Sequence, residues 1–226
     1  MNNILIIATS HKTRGGITSV INAHKKGEQW TKYHCKWIET HIDKRGIWKL
    51  LYLIKGWITF ICLLPFYNLI HIHTSEPPSA IRKCLFMPLA KLLDKKVIVH
   101  FHAFSPETTI NGKYQKIYKY LFNEADCVIV LSQLWEKYVN DTFHLGDKVK
   151  VIYNPCTTEI LEEKHAKKKQ ILFAGTVNAR KGYADMIKAF AKIAHEYPDW
   201  KIVFAGNGEI KQGEELAKSL GIESQT

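Results

Sequence analysis

Short runs of consecutive apolar residues alternate with longer amphipathic stretches along the chain. The runs "ILIIA" from Ile4, "LIHIH" from Leu69, "VIVHF" from Val97, "CVIVL" from Cys127, "VKVIY" from Val149, "QILFAG" from Gln170 and "KIVFAG" from Lys201 are rich in Ile and Val and short. Continuous apolar strands separated by helix-length segments predict a parallel sheet covered on both faces. After Lys181, Met186, Ile187, Phe190 and Ile193 recur at i, i+1, i+4 and i+7, the apolar face of a helix that packs on such a sheet. The pattern predicts a doubly wound parallel α/β architecture.

The alternation is broken once. "VIYNP" closes the first series of strands, and "CTTEILEEKHAKKK" after it is polar, charged and poor in strand formers. This places a complete domain at residues 1–157, a linker at 158–169, and a partial second domain at 170–226. The second has chain enough for two strands and two helices, so much of its apolar sheet surface is expected to lie bare.

A different apolar signal runs through "IWKLLYLIKGWITFICLLPFYNLIHIH". Lys49 and Lys55 interrupt it, and the clean run from Gly56 to Phe66 has 11 residues, where a membrane span needs about 20. A core helix is the first expectation. An interfacial helix is the alternative, because Trp48, Tyr52, Trp57 and the flanking lysines suit a lipid headgroup layer.

Composition narrows the class. With 226 residues and 46% apolar content the chain is globular. Its five cysteines (Cys35, Cys62, Cys84, Cys127, Cys156) are odd in number and show no Cys-x-x-Cys spacing, which argues against a disulfide scaffold or a zinc site. The opening "NNILIIATS" is too short and strand-like for a signal peptide, and a cytoplasmic location is expected. The net charge of +11 is uneven: residues 1–157 carry 21 Lys/Arg against 11 Asp/Glu, and residues 158–226 carry 11 against 10. A basic face attracts nucleic acid, anionic lipid or phosphorylated substrates, or is simply solvated. No nucleic-acid recognition motif accompanies it, and no nucleic-acid partner is expected.

Candidate chemistry sits in the loops after the strands, where open parallel sheets bind ligands. In "ATSHKTRGGITSVINAH", Gly15 and Gly16 precede a helix whose free N–H groups suit a phosphate, although a tight turn explains the pair equally well. The three-glycine dinucleotide spacing is absent, which disfavours nicotinamide or flavin. In "AGTVNARKGYADM", Arg180 and Lys181 stand at a helix entrance, where cations match the dipole poorly. A diphosphate would offset that placement, and solvated surface cations are the alternative. "HIH" and "HFH" put alternate histidines on one side of a strand, a spacing open to zinc ligation or to plain packing.

"ILFAGTVNARKGYADMIKAFAKI" followed by "WKIVFAGNGE" resembles the second-domain signature of the retaining family 4 glycosyltransferases, and "GGI", "LIHIHTS", "VIVHFHAF", "ADCVIVLS" and "VIYNP" resemble the first-domain pattern, from Asn3 to about Glu209. The resemblance implies a GT-B type fold: an N-terminal acceptor-side Rossmann-like domain and a partial C-terminal one that binds a nucleotide sugar. It implies that Arg180, Lys181, Gly15 and Gly16 hold the donor diphosphate and that His102 is the active-site histidine, with no bound metal and no cofactor. "HTSEPPSAIRK", with Glu76, Ser79 and Arg82, is similar to the version in polysaccharide-assembly transferases of the hexosyltransferase type. That implies a saccharide or lipid-linked acceptor in lipopolysaccharide or capsule synthesis, and peripheral contact of the basic domain with the inner face of the cytoplasmic membrane. The family's pair of glutamates, about eight positions apart, has no counterpart, since Glu209, Glu214 and Glu215 come too early in the pattern. A chain truncated within its second domain is therefore expected, or a non-catalytic fragment or split subunit that needs a partner chain.

Overall fold

A computed structural model describes residues 3–155 and 167–226, so the linker expected at 158–169 lies mostly outside the described residues. The chain divides into two compact units, Met1–Thr158 and Glu159–Thr226.

The first unit opens with β1 (Ile4–Ala8), α1 (Gly16–Lys25), the short α2 (Glu28–Lys32) and β2 (Lys36–Glu39). The long α3 (Ile47–Leu63) leads to β3 (Leu69–Thr74), and α4 (Pro77–Cys84) and α5 (Met87–Leu92) lead to β4 (Lys96–Phe101). A π-helical turn at Pro106–Ile110 precedes α6 (Gln115–Glu124), β5 (Cys127–Val130), α7 (Gln133–Phe143) and β6 (Val149–Val151). All six strands are parallel, in the order β2-β1-β3-β4-β5-β6. The strand missing from the sequence reading is β2. It has four residues, and Lys36 and Glu39 bracket a two-residue apolar core, too little for an apolar run to show.

The two faces of this sheet differ. On one, Leu5, Ile7, Ile70, Ile72, Val97, Val99, Phe101, Val128 and Val130 meet side chains from α3 to α7, including Phe60, Phe86, Tyr118 and Phe122. On the other, Ile6 and Ala8 meet Ile21 of α1, and beside them β3 and β4 present His71, His73 and His100 instead of aliphatic residues. The expectation of apolar cover on both faces is met fully on one side only.

α3 corrects the core-helix expectation. Its buried residues are Gly56 and Phe60, and Leu64 continues the same stripe into the following turn. Gly56 is where the helix touches β2: a Cβ there would come within 2.6 Å of the Glu39 carbonyl oxygen. Ile47, Leu50, Leu51, Ile54, Trp57, Ile58 and Ile61 remain exposed.

The second unit comprises β7 (Gln170–Ala174), a 3-10 turn at Ala179–Lys181, α8 (Tyr183–Ala191), β8 (Lys201–Ala205) and α9 (Ile210–Ser219). β7 and β8 form a parallel two-stranded sheet. Val177, Tyr183, Ile187, Phe190, Ile202 and Ala217 form its core. Leu172 stays 62% exposed, as the small size of the unit leads one to expect. The loops after the two strands are pressed together: Val177 N donates to Asn207 O at 2.8 Å, and Glu209 N donates to Val177 O at 2.8 Å. A Cβ on Gly206 would lie 1.8 Å from the Gly175 carbonyl oxygen. Gly206→Ala is therefore expected to destabilise this unit by about 1–3 kcal/mol or more through backbone overpacking. Faster hydrogen exchange at the β7 and β8 amides, with first-unit amides unchanged, is the expected readout, and wild-type exchange in both strands would contradict it.

Candidate functional site

β1 is flanked by β2 on one side and β3 on the other, so the strand order reverses there. Open α/β sheets bind ligands at the carboxyl ends of the strands around such a point. The loop from Thr9 to Gly15 lines this position, and Glu39 at the end of β2 organises it. One Glu39 oxygen accepts from the Ser10 hydroxyl at 2.8 Å and from the His11 amide at 2.8 Å, and lies 2.5 Å from His11 Nδ1. Burial pushes the Glu39 carboxyl up, but the His11 amide, the Ser10 hydroxyl and the His11 ring together hold it below the usual carboxylate range.

α1 then begins with no side-chain cap and no acidic residue in its first turn. Its first N–H groups and the positive end of its dipole are left for something else to satisfy. Nothing lies within 4 Å of where a Cβ on Gly15 or Gly16 would stand. Among the described residues no neighbouring chain packs on the glycine pair.

Beneath this loop lies a buried lysine. Lys83 of α4 donates to the Thr40 hydroxyl, and Thr40 in turn donates to the Ala8 carbonyl at 2.9 Å. Burial, reinforced by the Arg82 charge, pushes the Lys83 ammonium well below its ordinary pKa. Glu39, Thr40 and Lys83 escape the sequence reading for one reason. Each acquires its role from β2, and a lysine on an amphipathic helix ordinarily reads as solvated.

His102 follows β4 directly, and its amide donates to the Thr74 carbonyl at 2.9 Å. Its ring stacks on His100, with centroids 4.1 Å apart, and its Nε2 lies 2.8 Å from Nδ1 of His73. His24 of α1 approaches the His73 ring at 6.3 Å. Burial, aided by the neighbouring imidazoles, lowers His71 to about 3 and His102 to about 2. Burial, with His24, lowers His100 to about 4, and it puts His73 well below its ordinary value. The cluster is neutral at pH 7.

Neutral rings joined in this way share one proton between His73 Nδ1 and His102 Nε2, and which ring donates depends on the tautomer.

His71, His73 and His100 bring one ring nitrogen each within 4.8 Å of one another, close enough to raise the question of a metal. A metal–imidazole bond lies in the plane of the ring, at about 2.0–2.1 Å for zinc. The His71 and His100 rings are instead parallel to within 6°, with centroids 5.5 Å apart. This geometry suits a stack better than a coordination sphere.

In the second unit Arg180 and Lys181 are exposed and adjacent in the 3-10 turn. They stand at the entrance to α8, separated from its first residue by Gly182. Gly182, at φ 76°, switches the backbone, and α8 then starts at Tyr183 with Asp185 in its first turn. The amide of Lys181 is satisfied by the Asn178 side chain at 3.0 Å. The local dipole is thus balanced by Asp185, and the case for an anionic ligand rests on two exposed cations held side by side.

Gly15, Gly16 and His102 fall at the carboxyl end of one sheet, and Arg180 and Lys181 share one turn of the other unit. The comparison with known families settles the class. Residues 41–160, just over half of the chain, match the model described as Glycosyltransferase Family 4. The chain belongs to glycosyltransferase family 4. Residues 158–226 match a second model, Glycosyl transferases group 1. Among curated relatives, an uncharacterized glycosyltransferase of Methanocaldococcus jannaschii is 29% identical, over 52% of this chain and 34% of its own. Another, from Haemophilus influenzae, is 31% identical over 62% of this chain and 40% of its own. The chain thus spans about a third to two-fifths of the length of these relatives. Of solved structures, the catalytic domain of starch synthase IV from Arabidopsis thaliana aligns with TM-score 0.58 at 11% identity, over 99% of this chain and 71% of that one. TarM aligns with TM-score 0.51 at 16% identity, over 67% of this chain and 30% of its own. The fold of family 4 is present: Rossmann-like units of the GT-B type.

The buried histidines make the first unit acid-sensitive. Each has a lower pKa folded than the ordinary value of about 6.5, so protons favour the unfolded chain. Stability is complete above that pH and falls below it by up to about 1.4 kcal/mol per pH unit for each such histidine. His100, with both ring nitrogens buried and unpartnered, is the cleanest test. Between pH 6.5 and 4.5, urea unfolding of His100→Leu is expected to show a slope smaller by about one proton; a slope equal to wild type would remove His100 from the acid response.

Proposed function

We propose that this chain forms the acceptor-side domain, and the start of the donor-side domain, of a retaining glycosyltransferase. It moves a hexosyl group from a nucleotide-diphosphate sugar to a saccharide or lipid-linked acceptor in surface polysaccharide synthesis, on the cytoplasmic side of the membrane. The observation that carries this reading is the start of α1: an uncapped, acid-free helix N-terminus behind an open glycine pair, at the point of strand reversal in a family 4 chain. Such an end is suited to a phosphate.

On this reading each residue has a distinct task. The N–H groups beyond Gly15 and Gly16 receive a phosphate oxygen of the donor. Arg180 grips the diphosphate in two-point fashion and Lys181 adds a mobile charge. As the bond to the sugar breaks, negative charge grows on the leaving diphosphate, and cations fixed beforehand lower the barrier. Cations of the chain supply this charge, so the reading requires neither metal nor cofactor. His102, neutral at pH 7, hydrogen-bonds a sugar hydroxyl and orients the donor near the attacking group. At neutral pH it is no acid catalyst, since burial holds its imidazolium form far below reach. The starch synthase of related fold was solved bound to ADP and acarbose, a pairing of nucleotide and saccharide that agrees with the proposed ligand classes.

Calorimetric titration with UDP and GDP tests the donor site. The wild-type chain is expected to bind one of them, and Arg180→Ala with Lys181→Ala to weaken it about tenfold or more, because charge-assisted hydrogen bonds contribute about 1.5–3 kcal/mol each. Equal affinity in the double variant would exclude these cations from the diphosphate site.

A further inference from the structure

On a helix that turns by about 100° per residue, the exposed residues Ile47, Leu50, Leu51, Ile54, Trp57, Ile58 and Ile61 of α3 fill an arc of roughly 120° that contains no polar side chain. A surface helix normally turns its polar face outward; this one buries a narrow stripe at Gly56 and Phe60 and exposes a broad apolar one. Leu85, 50% exposed, extends the patch beyond the helix, and the Trp57 indole donates to the Leu85 carbonyl at 3.3 Å. Contiguous apolar surface of this kind marks an interaction site.

We propose that this face of α3 inserts, in the plane of the membrane, into a bilayer surface containing anionic lipid. Charge selects this occupant. Lys44, Arg45, Lys49 and Lys55 lie on or just before the helix and are all exposed, and Lys44 sits over the Trp48 ring at 5.2 Å. Cations bordering an apolar face attract anionic headgroups and repel a second copy of the same face. Tryptophans at both borders suit the layer between headgroup and acyl chain.

The fold also sets the orientation. Ile47–Phe66, at 20 residues, is long and apolar enough to cross a membrane. Spanning would, however, pull Phe60 away from Phe86, whose ring it meets at 5.1 Å, and Leu64 out of the core. It would also carry Lys49 and Lys55 into hydrocarbon. Held by its inner stripe, the helix lies flat on the lipid with the first unit above it. The inference is independent of the donor site, and the two can fail separately.

Sedimentation of the whole chain with phosphatidylcholine vesicles, with and without phosphatidylglycerol, tests it. Ile54→Ser with Ile58→Ser alters exposed side chains only, so circular dichroism is expected to match wild type. The wild type is expected to sediment with the anionic vesicles, less so at high salt, and the variant to bind about tenfold more weakly or worse. Brominated lipid is expected to quench wild-type tryptophan fluorescence but not that of Trp48→Phe with Trp57→Phe. Wild type left in the supernatant with both vesicle types, equal binding by the serine variant, or a lipid-free oligomer that the serine substitutions dissolve would each overturn the proposal, the last pointing to self-association.

Discussion

In the first unit β1 is hydrogen-bonded on both sides, to β2 and to β3, and the chain must cross over β1 to pass from β2 at the sheet edge to β3. That crossing is made by α3. Several features follow from it. The loops after β1 and β2 diverge and are joined by Glu39, which holds Ser10 and His11 in place. The carboxyl end of β1 is left with an opening into which α1 presents uncapped N–H groups. The crossing helix, at the margin of the sheet, has only one stripe to bury and leaves the remainder outside.

The same unit handles charge in an unusual way. Its residues up to 157 carry an excess of 10 positive charges, yet desolvation disfavours the charged forms of the groups it buries. Lys83 donates to one hydroxyl, and the histidines of β3 and β4 stack on one another as uncharged rings. The exposed positive charge lies on the surface and at the rims of loops, where it can act on anions. The interior supplies hydrogen-bonding groups of fixed position instead. His102 is the clearest case, since its hydrogen bond to His73 and its stacking on His100 hold the ring in place.

Most of the fold was legible because the strands stand out as short Ile- and Val-rich runs; all seven runs identified in the sequence are strands. β2 was not legible, because a four-residue edge strand with polar ends leaves no periodic trace. The exposure of α3 was not legible either: an apolar helix gives the same pattern whether protein or nothing covers it, and tertiary packing alone distinguishes the two. Of the site, the glycine pair, the adjacent cations and the strand-end histidine could be named from motifs. Their partners could not, because Glu39, Thr40 and Lys83 are joined through register and crossover, which adjacency in the chain does not reveal. The place of Arg180 and Lys181 at the entrance to α8 was legible, whereas the left-handed Gly182 between them and the helix was not.

The glycines of the two units answer to different demands. Gly206 and Gly208 have another backbone pressed against them, and the fold itself forbids a side chain at either. Gly15 and Gly16 have empty space where a methyl group would go. A library of variants selected only for solubility and folding would hold the first pair constant and let the second drift, whereas one selected for turnover would hold both. Comparing the two selections at these four positions separates what the polypeptide needs for itself from what it keeps open for its ligand.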